Sequence, residues 1–228
     1  MADFARSEGV SRTPLPRHAL KPVLLGITCA ALILLVADFT ALHTLRGAAA
    51  TFDESIRTAV HSFAVPSLTG AMRITTWFGS TPVLATLVLI FALILRRGPL
   101  PSRAWLPFVA FAAAEIVAES AKLIVRRVRP HPWFGLHSSE TWSFPSGHAL
   151  VSTVCYLFFG AVLLGILRNR WARLLTIVLS IALPLTIGFT RVYLGVHWPT
   201  DVLSGWMAGV CVAAGLNRAL SNPRDISQ

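Results

Sequence analysis

SFPSGH, residues 143–148, runs directly into ALVSTVCYLFFGAVLLGI, residues 149–166, a stretch without a single charged side chain. Pro145 cannot continue a helix behind it, and Ser146 is a favoured N-cap, so the pair predicts a helix opening at Ser146 and reaching about Leu167. An uncharged apolar helix of that length is long enough to cross the hydrocarbon core of a bilayer. Its first turn presents unpaired N–H groups and the positive end of the helix dipole, which together attract an anion. Gly147 lets a ligand approach the backbone closely, and His148 exchanges a proton near neutral pH. By themselves these six residues fit an ordinary capped helix with a histidine at the membrane surface equally well.

The surrounding chain repeats the apolar pattern. Of 228 residues, 54% are hydrophobic and 13% charged, against about 45–50% and about a quarter in soluble domains. The apolar residues come in blocks, which marks an integral membrane protein of one domain. The blocks predict an all-α, six-transmembrane-helix bundle. Its spans are 22–42, a second that starts before Pro82 and ends near Leu95, 104–125, 146–167, 174–190 with a kink allowed by Pro184, and 199–216. Between the first two, Phe52, Ile56, Val60 and Phe63 recur at helical spacing around Asp53, Glu54 and Arg57, which predicts a short interfacial helix. A further short segment, 67–78, leads into the second span. Asp38, His43 and Arg46 separate the first span from the small residues Ala48-Ala49-Ala50, so it reads as uncleaved. The division is a cytoplasmic tail at 1–21, a membrane domain at 22–218 and a second cytoplasmic tail at 219–228.

The formal net charge is +10. Arg96-Arg97 and Arg168, Arg170 and Arg173 sit in short loops beside apolar runs, the pattern that orients membrane proteins, and no nucleic-acid partner is expected. Six spans put both termini on one side, and the denser Lys and Arg there place that side in the cytoplasm. Cys29, Cys155 and Cys211 each lie within an apolar run and read as packing residues.

On the opposite side, Lys122, Arg126 and Arg129 are spaced i, i+4, i+7, which on a continuing helix aligns them on one face, with Arg127 beside them. A cation at mid-bilayer costs about 2.5–3.5 kcal/mol, less near the interface. The cluster therefore reads either as snorkelling side chains on lipid headgroups or as an anion cradle. Glu115 and Glu119, on roughly the same face, either pair with Lys122 or are buried and protonated. The third polar segment is Arg191-Val-Tyr-Leu-Gly-Val-His197-Trp-Pro-Thr-Asp201. Pro199 suits the first position of a helix, which puts His197 just ahead of it and Asp201 in its first turn. A carboxylate there can hold one imidazole nitrogen and leave the other free as a nucleophile, or make a purely structural contact. By the helix count the three segments share one membrane face. Two histidines, a carboxylate, three or four cations and a helix N-terminus fit phosphoryl transfer without metal: cations and N–H groups neutralise the phosphoryl oxygens while one histidine attacks and the other protonates the leaving oxygen.

Lys122-x6-Arg129-Pro130, Pro145-Ser146-Gly147-His148 and Arg191-x5-His197-x3-Asp201 resemble, in order and spacing, the three signature motifs of the type 2 phosphatidic acid phosphatase family, over roughly residues 50–218. Thr190 departs from the pattern, which usually has Ser before the Arg. The resemblance implies that His197 is the nucleophile forming a phosphohistidine, that Asp201 orients it, and that His148 is the general acid. It implies that Lys122, Arg129, Ser146, Gly147 and Arg191 hold the phosphate, with no metal or other cofactor. Arg126 and Arg127 lie outside the signature and are candidates for headgroup or second-phosphate contacts. The implied substrate is a lipid phosphate or pyrophosphate in the bacterial inner membrane, with the site on the periplasmic face. Undecaprenyl pyrophosphate is favoured by family breadth, with phosphatidylglycerol phosphate and lipid A phosphates as rivals. Phosphotransfer to a lipid acceptor from the same site is a second reading, and a non-catalytic anion binder a third. The soluble vanadium haloperoxidases share such a site but not this hydrophobicity.

Overall fold

The computed structural model describes residues 17–39, 46–98, 100–135 and 141–220. The predicted N-terminal tail up to residue 16 and the predicted C-terminal tail from residue 221 lie outside the described residues. The described elements are helical: α1 (Arg17–Phe39), α2 (Arg46–Ser62), α3 (Pro66–Trp77), α4 (Thr81–Arg97), α5 (Leu106–Val125), α6 (Gly147–Ile166), α7 (Arg170–Tyr193) and α8 (Pro199–Leu220), with a 3-10 turn at Pro101–Arg103.

Local chemistry sets most boundaries. Pro66, Pro82 and Pro199 each stand in the first turn of their helix, where a missing N–H costs nothing. Ser146 caps α6, accepting the Ala149 N–H. Asn169 caps α7, its Oδ1 accepting from Trp171 and Ala172 at 2.8 and 3.1 Å. At the far end of α5, Arg126 turns into the left-handed region (φ 52°) and closes the helix by donating its N–H to the Lys122 carbonyl.

Two expectations change. The second span is not one continuous helix: α3 and α4 are separated at residues 78–80 and bent by 51°, and α4 begins one residue before Pro82. The third helix ends at Val125, so Arg126 and Arg129 do not continue the face that carries Lys122. By length and apolarity α6 and α7 each suffice to cross a membrane, and α3 with α4 does so only when counted across the bend. Leu174, Leu175, Ile177, Val178, Ile181 and Leu185 of α7 are exposed on the protein, an outward apolar face suited to lipid.

The helices approach through small residues. Gly205 and Gly209, four apart on α8, lie against α6: a Cβ on Gly205 would stand 2.9 Å from the Ser146 carbonyl oxygen, and one on Gly209 would stand 2.7 Å from Thr153 Cβ. Small residues at this spacing let two backbones touch in a membrane, where packing rather than water drives association. Gly26 and Gly215 do the same between α1 and α8. The apolar core fills the space among α4, α5, α6 and α8, with Leu84, Val88, Leu95, Leu150, Val154, Phe158 and Val212 buried there. The α6–α8 contact brings their N-termini together, and the Ser146 N–H donates to the Asp201 carbonyl at 3.0 Å.

Replacing Gly209 by Ala should therefore destabilise the protein by about 1–3 kcal/mol through overpacking. Gly70, inside α3 with open space around it, should gain about 0.5–1 kcal/mol on the same change. Thermal melting of the two purified variants in one detergent checks the opposite signs.

Candidate active site

The site assembles where α5 ends, α6 begins, α7 ends and α8 begins. His197 lies in the turn between α7 and α8, 2% exposed, its own N–H donating to the Arg191 carbonyl. Four residues on, Asp201 is fully buried in the first turn of α8. Its Oδ2 lies 3.3 Å from His197 Nδ1 and accepts the Trp198 N–H at 3.0 Å. On the other side of the ring, Arg129 Nη1 is 2.8 Å from His197 Nε2. A guanidinium is always a donor, so Nε2 accepts and the imidazole proton sits on Nδ1, facing Asp201. Burial first, then the cations of Arg129, Arg191 and Lys122, hold the His197 imidazole well below its ordinary value near 6.5. The ring is thus neutral, with a lone pair on Nε2 among cations.

Arg129 reaches this point from an extended stretch beyond α5. Its guanidinium is spread across the carbonyls of Val196, Thr141 and Trp142, which leaves it little freedom. Lys122 is 9% exposed and pairs with Glu119 at 2.6 Å, one of the two arrangements expected for that carboxylate. Its Nζ stands 3.4 Å from where a Cβ on Gly147 would be, so the bare glycine leaves the ammonium against the opening turn of α6. Glu115 instead accepts from Thr81. Arg191 donates to Thr76 Oγ1 at 2.7 Å, and its Nε is buried without a hydrogen-bond partner among the described residues. His148, half-buried in the first turn of α6, packs against Gly79 in the α3–α4 break and lies within electrostatic reach of Arg191, His197, Lys122 and Arg129. The three segments picked out in the sequence therefore meet around one point, with an unsatisfied guanidinium donor and a helix N-terminus beside a neutral imidazole. Among the described residues no three His, Cys, Asp or Glu side chains converge as a metal site.

Two residues do not go where the spacing placed them. Arg126 is exposed, its Nε folded back on the Leu123 carbonyl, because the left-handed turn at its own backbone directs the chain off the helix. Arg127, expected toward a headgroup, is turned inward: Nη1 donates to Asp201 Oδ1 and Nη2 to Asp53 Oδ2, both at 2.7 Å. In the sequence Asp53 reads only as a polar residue of the short interfacial helix. It is fully buried and also accepts the Thr200 N–H and hydroxyl, at 2.9 and 2.7 Å. The face that α2 turns inward is Asp53 and Arg57, while Phe52, Ile56 and Phe63 are exposed. The available signal was that these two charged residues lie four apart, on a face of their own. Thr76 and Gly79 carried no such signal, since they act only through a helix break far away in sequence.

A family model described as the PAP2 superfamily matches residues 103–225. An undecaprenyl-diphosphatase of Sulfolobus acidocaldarius is 34% identical over 106 residues, 44% of this chain and 47% of that protein, so the chain spans about half the length of that relative. Phosphatidylglycerophosphatase B of Bacillus subtilis is 29% identical over 177 residues, 75% of this chain and 83% of that protein. The crystal structure of a transmembrane PAP2-type phosphatidylglycerolphosphate phosphatase from Bacillus subtilis superposes with a TM-score of 0.74 at 25% identity, covering 89% of this chain and 98% of that one.

The His197 environment has a measurable consequence. The unfolded chain takes up a proton at this residue near pH 6.5 and the folded chain does not, so folding stability falls as pH drops below about 6.5. Nitrogen NMR of labelled histidine should show His197 titrating well below that value in the native protein. Arg129→Gln removes a cation while leaving the burial, so the titration should move upward and remain below 6.5; an unchanged or lower midpoint contradicts the assignment.

Proposed function

The chain belongs to the PAP2 superfamily, and on that premise we propose that it is an integral membrane phosphatase acting on a lipid phosphate or pyrophosphate, with undecaprenyl pyrophosphate converted to undecaprenyl phosphate as the preferred reaction. The observation that carries the reading is the buried His197, its Nδ1 on buried Asp201 and its Nε2 against Arg129. An imidazole needs no deprotonation to attack, and cations around the point of attack stabilise charge gathering on the phosphoryl oxygens.

In the proposed reaction, Lys122, Arg129, Arg191, the Ser146 hydroxyl and the N–H groups at Gly147 hold the phosphate oxygens. The Nε2 lone pair of His197 forms a bond to phosphorus as the bond to the leaving oxygen breaks; the negative charge of the bound substrate offsets the cations around His148, so that His148 enters this step protonated and gives that oxygen its proton. Asp201 accepts the Nδ1–H and stabilises the positive charge on the ring. His148, now neutral, takes a proton from water as the water oxygen attacks the phosphohistidine. The N–P bond breaks, and His197 returns to its starting form with release of inorganic phosphate.

The arrangement of helix ends supports a membrane placement with α1, the α3–α4 pair, α5, α6, α7 and α8 as six spans, and residues 22–218 as the membrane domain. The termini are then cytoplasmic and the site lies at the periplasmic face of a bacterial inner membrane. The exposed Phe52 and Ile56, with Phe63 just beyond its end, suit α2 to the interface. Phosphatidylglycerol phosphate is the second substrate reading, favoured by the match to the Bacillus subtilis phosphatidylglycerophosphatase B along three quarters of the chain; lipid A phosphate is a further member of the same class.

Purified protein should release inorganic phosphate from at least one of undecaprenyl pyrophosphate, phosphatidylglycerol phosphate and lipid A, without an added acceptor and in the presence of EDTA. His197→Ala should reduce kcat by about 10³-fold or more. Release that needs a lipid acceptor would make the protein a transferase, and full activity in His197→Ala would end the phosphohistidine reading. Exposed Arg126 should matter, if at all, only for the pyrophosphate substrate; an equal loss on both substrates in Arg126→Ala rejects a second-phosphate role.

A further inference from the structure

Asp201 has two carboxylate oxygens and several donors competing for them. Arg127 holds Oδ1, while His197 Nδ1 and the Trp198 N–H share Oδ2. A guanidinium facing a carboxylate favours the two-pronged arrangement in which both oxygens are taken. Arg127 does not adopt it because its second nitrogen, Nη2, is held at 2.7 Å by Asp53. Asp53 is fully buried and fastened at the same time to the first turn of α8 through Thr200. Arg127 also donates from Nη1 to Thr200 Oγ1 at 2.8 Å. The result is a closed set of contacts tying α2, the segment after α5 and the start of α8 together beneath the His197–Asp201 pair.

We propose that Asp53 is a positioning residue for the reaction: by keeping the Arg127 fork split between two carboxylates, it reserves Asp201 Oδ2 for the Nδ1–H of His197. The assignment rests on the phosphatase reading above for its kinetic consequence, but not for its structural one. Without the Asp53 carboxylate, Nη2 has no anionic partner and turns to Oδ2. His197 then loses its acceptor, and with it the fixed tautomer and the counter-charge for the phosphorylated ring. Substrate holding by Lys122, Arg129 and Arg191 is untouched, so the damage falls on the chemical step.

The test is a cycle of Asp53→Asn, Asp201→Asn and the double variant, with Arg127→Lys as a parallel single change. Asp53→Asn keeps the shape and removes the charge; Arg127→Lys keeps the charge and removes the fork. Each should lower kcat about 10- to 100-fold with KM within about twofold. In the Asp201→Asn background, where no carboxylate remains to be reserved, Asp53→Asn should cost less than about twofold more, because residues acting as one unit are not additive. Full-strength kcat in Asp53→Asn, a loss confined to KM, or multiplicative losses in the double variant would each overturn the proposal. Failure of both Asp53→Asn and Arg127→Lys to fold would assign the cluster to assembly alone and would also overturn it. A second readout stands without turnover: the His197 Nδ1–H resonance should shift or broaden in Asp53→Asn. An unchanged resonance rejects the proposal, whereas absence of phosphate release by the native protein rejects only the phosphatase reading.

Discussion

A buried carboxylate is tolerated only when its oxygens are fully used, and Asp201 is where this constraint bears hardest on the protein. It is out of contact with solvent, and it has Arg127, His197 and the Trp198 N–H around it. Leaving such a charge without partners would cost several kcal/mol. Satisfying it brings together the stretch after α5 and the turn before α8, and the same Arg127 ties in α2 through Asp53. The geometry of the candidate site is therefore not an addition to a finished bundle.

The small residues of α8 serve the same requirement. Gly205 and Gly209 let α8 lie directly on α6, which brings the Ser146 amide onto the Asp201 carbonyl and sets the opening turn of α6 beside Lys122. Bulkier residues would separate the two helix starts by more than a hydrogen bond can span. Trp133 has a comparable role at the outer rim. It packs at Gly195, where a positive φ and the lack of a side chain let the ring approach, and it lies tilted by 30° against the His61 ring while Arg57 lies over its face. Aromatic and cationic groups in such contact hold one another by dispersion and charge–quadrupole attraction.

The cation distribution follows from the same physics. Basic residues are costly near a bilayer and are kept only where something offsets them. Lys122 is offset by Glu119, Arg127 by two carboxylates, and Arg129 by three carbonyls and a histidine. Arg191 donates to Thr76, but among the described residues its buried Nε has no hydrogen-bond partner, a condition it shares with the Nε of Arg57.

Read alone, the chain determined that the protein is helical and belongs with membranes, because long apolar blocks leave few other options. It also put Ser146, His148, His197 and Asp201 at helix starts, because the caps and prolines there are local signals, and the helix count put those starts on one face of the membrane. What it could not determine was the course of the chain between Lys122 and Arg129. A regular spacing suggested one helical face, yet a single left-handed residue, Arg126, ended the helix and sent Arg127 inward. Nor did it show that Asp53 belongs to the site, or that α3 and α4 break at Gly79 beside His148. Local signals report a residue's neighbours along the chain; the pairing of a buried charge, and the space that a missing side chain opens, depend on helices far away in sequence and exist only after the helices have packed.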